Sequence, residues 1–479
     1  MLEDVDLLEE ISRWKLDAKF EESGRYFYHT QNLKEIESGD ISFIIGRKGC
    51  GKTAISENLY NKVSYDSYAE KLTFKNFPFN DLYKLSNEDY TKPNQYISIW
   101  KYLIYSSICK MFIRNNAIDG ELVSTLEKIH GKNQGFRNLE RMVKKWVGKE
   151  WSIKLLGLGG KVTLSEAESE QSWLEKVDIL EDIIEKHIDT SNYYILFDEL
   201  DEEYSGIIER GAQSDYLSLL TSLFKAVQDV KSTFPNTGIK PVVFLRDDIY
   251  DLLVDSDKTK WDDFKLELDW NIDSIKDLLA FRLTRAKDPN ATQSLPFNKV
   301  WAEVCNSKSI RYGNRQQKEV PAFEYIAKST HLRPRDFIKY IQSCAKETTQ
   351  YTRKDKFNAH TIKKVDKAFS NYLRSELSDE INGIMPDVKE VFALISEVRK
   401  WNFTTDEFNR AHSKRIKQGL IKTRNPELIL KTLFHFSAIG NQPKQRQVQY
   451  FRYNNKEARI NFNENIVVHR GLLKSLQIL

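Results

Sequence analysis

One stretch of eight residues constrains this chain more than any other: Gly46-Arg47-Lys48-Gly49-Cys50-Gly51-Lys52-Thr53. It fits the spacing GxxxxGK[ST]. Before it runs Ile41-Ser42-Phe43-Ile44-Ile45, short, apolar and β-branched, which predicts a buried strand. Behind it the sequence turns helix-like. Glycines let such a loop curl until successive backbone N–H groups point inward at phosphate oxygens. The helix that follows adds the positive end of its dipole. Lys52 is then expected at the β- and γ-phosphates of ATP, and the Thr53 hydroxyl on Mg2+. Gly46, Lys48, Gly49, Cys50, Gly51 and Ala54 are expected to line the phosphates. A glycine-rich turn without a ligand is the alternative, and the flanking strand and helix argue against it. Cys50 is a chemical handle whose alkylation should impair nucleotide binding.

A second apolar strand, at 192–204, closes on Asp198 and Glu199 in the run Ile195-Leu196-Phe197-Asp198-Glu199. Carboxylates at such a strand end suit magnesium binding by Asp198 and activation of the attacking water by Glu199. A helix N-cap is the competing use of paired acids. A third strand, PVVFLR, ends in Arg246, which is expected near the γ-phosphate. A salt bridge with Asp247, Asp248 or another acid is the alternative. In His331-Leu332-Arg333-Pro334-Arg335 the proline fixes a helix start, and either arginine is placed to reach across a nucleotide or to make a structural ion pair. Asp198-Glu199-Leu200-Asp201 has the letters of a helicase motif, but no second domain of that kind follows.

The segments order themselves as follows. Strands are expected at 41–46, 71–82, 192–204, 240–248 and 266–270. Helices are expected at 95–118, 171–188, 214–233 and 272–285. Strands alternating with helices and apolar throughout argue for a parallel sheet covered on both faces. A basic helix at 134–149 and a hairpin at 151–165 turning at Gly159-Gly160 read as an insertion, about 134–170. Only helical patterns follow from 286 to 380. After that, helices at 386–399, 404–418 and 425–437 precede a hairpin made of 448–455 and 458–464, with a last helix at 467–477. The expected fold is therefore α/β: a P-loop NTPase of ASCE type in 1–285, a helical lid in 286–384 and a winged helix in 385–479.

The 479 residues carry a net charge of +4. From residue 391 onward, 16 Lys and Arg face 6 Asp and Glu, so the excess positive charge is concentrated there. An anionic partner and a solvated basic face both fit that split. Arg410, Lys414, Arg415, Lys417, Lys422 and Arg424 are its densest part and suit phosphate contacts with double-stranded DNA. The helix PELILKTLFHFSAI offers only Lys431 as a cation, too little for reading base edges. The four cysteines show no CxxC or zinc spacing, as expected in a reducing cytosol. The N-terminus is acidic rather than a signal peptide, and no apolar run is long enough for a membrane span. A cytoplasmic protein without membrane association is expected.

These motifs in this order resemble the AAA+ and STAND group of ATPases, and within it bacterial proteins carrying GRKGxGKTA and FLRDDIYD segments, here Gly46 to Ala54 and Phe244 to Asp251. The resemblance implies an ATP-driven switch that often oligomerises. It also implies a winged-helix histidine that touches ADP. Val468-His469-Arg470 stands at that place, with Arg470 where the family has an acid; a plain core or surface histidine is the other reading of His469. A nucleotide switch working with an effector protein, as in bacterial anti-phage defence, and a DNA-binding ATPase of replication, transposition or plasmid maintenance are the two functions it suggests. A small-molecule kinase fits the length and the Asp-Glu pair poorly.

Overall fold

The computed structural model describes residues 6–30, 32–62, 64–73, 94–130, 173–201, 211, 213–313, 317–352 and 355–478. The chain divides into two compact units. One comprises His29–Arg47 and Gly51–Leu268; the other comprises Met1–Tyr28, Lys48–Cys50 and Asp269–Leu479. The basic helix and the hairpin expected within 134–170 lie outside the described residues.

The first unit is built on β1 (Phe43–Ile45), α1 (Lys52–Asn61), β2 (Ser67–Thr73), α2 (Ile97–Phe112), α3 (Trp173–His187), β3 (Asn192–Asp198), α4 (Gln213–Thr233), β4 (Ile239–Leu245) and β5 (Lys265–Glu267). The strands form one parallel sheet in the order β2-β3-β4-β1-β5. Strand parity explains its layers. Phe43, Ile45, Tyr193, Ile195, Phe197, Val243 and Leu245 share a core with α2, α3 and α4. Their neighbours Ile44, Leu196, Val242 and Phe244 face the other way and are buried too, on the side where α1 packs. A sheet buried on both faces needs near-continuous apolar runs, and β1, β3 and β4 have them, while the edge strands β2 and β5 are mixed. The strand β4 lies between β1, which leads into the glycine loop, and β3, which ends at Asp198. That order, with helices on both faces, is the P-loop NTPase fold of ASCE type.

In the second unit the long run from Asp269 opens with α5 (Ile272–Lys287), whose N-cap Asn271 and Ser274 form a capping box. Next come α6 (Phe297–Val304), α7 (Ala322–Ala327), α8 (Pro334–Glu347) and α9 (Ala359–Asn382). The segment 286–380 is not purely helical. Residues Ser309–Tyr312 (β6) and Lys318–Pro321 (β7) pair as an antiparallel ribbon. With four residues per strand and mostly polar side chains, the ribbon left little periodic signal.

Then follow α10 (Val388–Val398), β8 (Asn402–Phe403), α11 (Thr405–Lys417), α12 (Pro426–His435), β9 (Ile439–Gln442) and β10 (Asn465–Val468). The three strands form an antiparallel sheet in the order β8-β10-β9. Its strands are not those the sequence suggested. Segments 448–455 and 458–464 are turns and irregular chain, joined to β9 at Asn441, which bridges Tyr450 and exchanges two hydrogen bonds with Asn461, each at 2.8 Å. The final helix expected at 467–477 is instead the end of β10 followed by a 3-10 turn at Arg470–Leu472. The buried run Ile466-Val467-Val468 fits a strand as well as a helix at that length, and β9 supplied the partner. Among the described residues no helix is long and apolar enough to cross a membrane.

Candidate functional site

The loop leaves β1 with Gly46 N donating to Leu245 O on β4 at 3.2 Å. Gly49 and Gly51 both have positive φ, +80° and +111°, the left-handed backbone that favours glycine. The carbonyls of three successive residues are taken. Lys48 O accepts from Arg333 Nη1 at 3.3 Å, Gly49 O from Arg335 N at 3.4 Å, and Cys50 O from Trp270 Nε1 at 2.8 Å. Among the described residues the N–H groups of Lys48 and Gly49 find no hydrogen-bond acceptor. Backbone donors left over in a glycine-rich turn are a fit for a polyphosphate. Lys52 opens α1 and its Nζ donates to Gly46 O (2.6 Å) and Arg47 O (3.1 Å), folding its charge back over the loop. Thr53 and Ala54 follow, half-buried. Cys50 is buried, so its thiol is shielded from the reagents that the sequence suggested would reach it.

At the end of β3, Asp198 is 3% exposed. Its Oδ1 accepts from the N–H of Glu199 at 2.9 Å. Its Oδ2 lies 3.0 Å from Lys71 Nζ, and Lys71 also pairs with Glu57 at 2.8 Å. Burial alone would lower the Lys71 ammonium, but the Asp198 and Glu57 carboxylates outweigh it and hold it above its ordinary value. A magnesium ion held by Thr53 and Asp198 would share Asp198 with this lysine. Glu199 has φ +60°, a left-handed conformation that costs a non-glycine residue about 1 kcal/mol. Strain of this kind at the end of a buried strand is a mark of a functional position. Arg246 forms a bidentate pair with Asp248 (Nε–Oδ1 2.9 Å, Nη2–Oδ2 2.6 Å) and lies 3.5 Å from Asp201 Oδ2.

In the second unit the two arginines before α8 differ sharply. Arg333 is 2% exposed. It holds Asp336 through Nε and Nη2, both at 3.1 Å, and Glu380 through Nη1 at 2.7 Å. Burial would lower its guanidinium, and Asp336 and Glu380 drive it well above its ordinary value instead. Arg335 has a side chain 28% exposed, with one ion pair at 3.5 Å to Glu376. A Cβ on Gly49 would lie 3.1 Å from Arg335 Cβ, so the loop tip rests directly on this residue. His469 is fully enclosed at the end of β10. Its ring meets His331, Phe451 and Tyr453, and Nδ1 accepts from Gly471 N at 3.1 Å. Burial, with Arg470 and Arg333 nearby, pushes its pKa down to about 3.

The structure thus brings Lys48, Gly49 and Cys50 together with Arg333 and Arg335, and Lys52 and Thr53 onto the helix that carries Glu57. Three participants gave no warning in the sequence. Lys71 sits in a strand that reads only as KLTF, Trp270 follows the last strand as one aromatic among many, and Glu376 is an ordinary acid in a long amphipathic helix.

Residues 273–378 match the FunZ-associated C-terminal helical domain. No curated protein matches the chain. Among solved structures it is similar to the Walker-type ATPase paby2304 of Pyrococcus abyssi (11% identity, TM-score 0.38, 95% of this chain and 96% of that one). It is similar to the Aeropyrum pernix ORC1 protein in complex with DNA (10%, 0.38, 97% and 96%) and to Cdc6p from Pyrobaculum aerophilum (12%, 0.30, 98% and 96%). Likeness this slight carries no argument about what the present chain does.

Proposed function

We propose that this protein binds ATP with Mg2+ and hydrolyses it, and that the nucleotide sets a switch. One observation carries the reading: the loop with its unspent N–H donors follows β1, while the carboxylates of Asp198 and Glu199 end β3 in the same sheet. In this reading Lys52 neutralises the β- and γ-phosphates, and Thr53 and Asp198 hold magnesium, whose charge offsets that of the phosphates. Glu199 orients the attacking water. Arg246 is tied to Asp248 and Asp201, so it acts by fixing the strand end unless that pair opens. Arg335 is the arginine with reach to a phosphate on the loop, and Arg333 positions the loop from behind. His469, buried and neutral, packs the C-terminal segment. The domain limits 1–285, 286–384 and 385–479 frame this division of labour. We place the protein in the cytoplasm as a homo-oligomer working with a partner or effector protein, in a system such as bacterial anti-phage defence. ATP turnover by the pure protein, with Lys52→Ala and Glu199→Gln beside it, tests the catalytic part. A wild-type rate no higher than that of Lys52→Ala would reject it.

A second reading, a DNA-binding ATPase of replication, transposition or plasmid maintenance, has its own support. Arg410, Lys414 and Lys417 are exposed on α11 at spacings of four and three, one stripe of the helix. Exposed Lys422 and Arg424 follow in the next loop. Arg415 leaves the cluster: it is 7% exposed and paired with Glu390 and Glu397, each at 2.7 Å. Five solvated cations suit the phosphates of double-stranded DNA without reading its sequence. Reversing the three α11 charges should weaken binding of two unrelated duplexes equally and flatten the salt dependence. Unchanged binding would remove this reading.

A further inference from the structure

We propose that Glu376 is a lock on the phosphate-binding loop: its carboxylate holds Lys48 and Arg335, and a nucleotide triphosphate must draw both cations away from it. The proposal rests on the nucleotide reading above and adds a regulatory residue to that site.

Glu376 and Glu380 lie one turn apart on α9, so both carboxylates leave the same face. They are used differently. Glu380 joins Asp336 in closing around Arg333 with hydrogen bonds of 2.7 to 3.1 Å. One oxygen of Glu376, Oε2, is 3.5 Å from Lys48 Nζ and 3.5 Å from Arg335 Nη1. That oxygen is buried and accepts no hydrogen bond. At such a distance the attraction is charge without a directed bond, a weaker hold than the contacts around Arg333. The two cations also keep slack, with side chains 29% and 28% exposed. A polyphosphate offers several oxygens and more than one negative charge, so it is the better partner for both. Arg333 cannot be exchanged in this way, because its donors are spent on two carboxylates and the Lys48 carbonyl.

The same helix faces the C-terminal segment. Ser475 N donates to Ser370 Oγ at 2.8 Å, and Arg374 Nη1 to Ser475 O at 3.1 Å. Gly471 is so close that a Cβ there would lie 2.6 Å from Leu373 Cδ2 and 2.2 Å from Ser329 O. Residues 370, 373 and 374 thus grip the chain after His469, and residues 376 and 380 grip the loop tip and its arginines. A displacement of the C-terminal segment is delivered to Glu376 through one rigid helix, which couples the lock to whatever engages the last domain.

The test compares wild type, Glu376→Gln and Asp379→Asn by calorimetric titration with Mg-ATP, Mg-ADP and adenosine. Asp379 is exposed on the same turn, so D379N removes an equal charge without touching either cation. E376Q should bind ATP about tenfold more tightly. The gain should be smaller for ADP, absent for adenosine, and reduced at high salt. D379N should match wild type. If E376Q proves unstable, Glu376→Asp lengthens both ion pairs and should shift ATP affinity in the same direction. A gain equal to that of D379N, or one equally large for adenosine, overturns the lock while leaving the nucleotide reading intact. Wild type that binds neither nucleotide overturns both.

Discussion

Replacing Arg333 by methionine separates a tie from a sensor. The side chain is 2% exposed, Asp336 is 0% and Glu380 8%. Methionine keeps much of the stem but strands two buried carboxylates and leaves Lys48 O without its donor. Removing one partner of a buried ion pair destabilises by about 3–5 kcal/mol, chiefly through the charge left behind. In a unit of this size each kcal/mol lowers Tm by about 2–4 °C. Arg335→Met is the comparison. Its single partner is 3.5 Å away across a partly solvated gap, a pair worth about 0–1 kcal/mol. Urea denaturation followed by tryptophan fluorescence, with nucleotide affinity measured on both variants, gives the answer. R333M should lose several kcal/mol of stability. R335M should keep its stability and lose affinity for ATP more than for adenosine. If R333M is as stable as R335M, the argument that Arg333 is spent structurally is wrong.

Other consequences can be checked directly. Gly49→Ala must adopt φ near +80° and meet Arg335 Cβ at 3.1 Å, so it should weaken nucleotide binding at least tenfold while a melt shows a folded chain; unchanged affinity would count against the loop geometry. All four cysteines are buried, so a thiol reagent should label the native protein slowly and the urea-unfolded protein fast; rapid native labelling of Cys50 would contradict its placement. His469 has a folded pKa depressed to about 3, so the unfolded chain takes up a proton that the native ring refuses between about pH 6.5 and 3. Stability should therefore be full above pH 6.5 and fall as pH drops, with a contribution from this residue approaching about 1.4 kcal/mol per pH unit. His469→Gln should show a shallower fall between pH 6.5 and 4, and equal slopes would mean that the ring titrates freely.

Much of the half that carries the parallel sheet was legible in the sequence because its signals are local. A β-branched apolar run, a glycine pattern and a helix are contiguous at 41–61, and the acids at 198 and 199 stand at the end of an equally apolar strand. The apolar runs at 41–46, 192–198 and 240–245 foretold a parallel sheet covered on both faces, but not the order of its strands. The rest depends on partners distant in sequence. The hairpin expected at 448–464 failed because 448–455 has alternating polar and aromatic residues that imitate a strand, whereas β9 and β10, Ile439–Gln442 and Asn465–Val468, are only four residues each. Arg415 looked like its neighbours Lys414 and Lys417 until helical phase turned it toward Glu390 and Glu397 on α10. Nothing local distinguishes Arg333 from Arg335 either. Pro334 sets both at a helix start, and only the fold decides that one meets two buried acids and the other meets Gly49.

The most direct measurement is ATP binding and turnover by the purified full chain with Mg2+, alongside K52A and E199Q. The account predicts that wild type binds and hydrolyses ATP, that K52A loses binding, and that E199Q binds ATP but turns it over at least a hundredfold more slowly. Wild type that neither binds nor hydrolyses ATP, or K52A that does both as well as wild type, would contradict it.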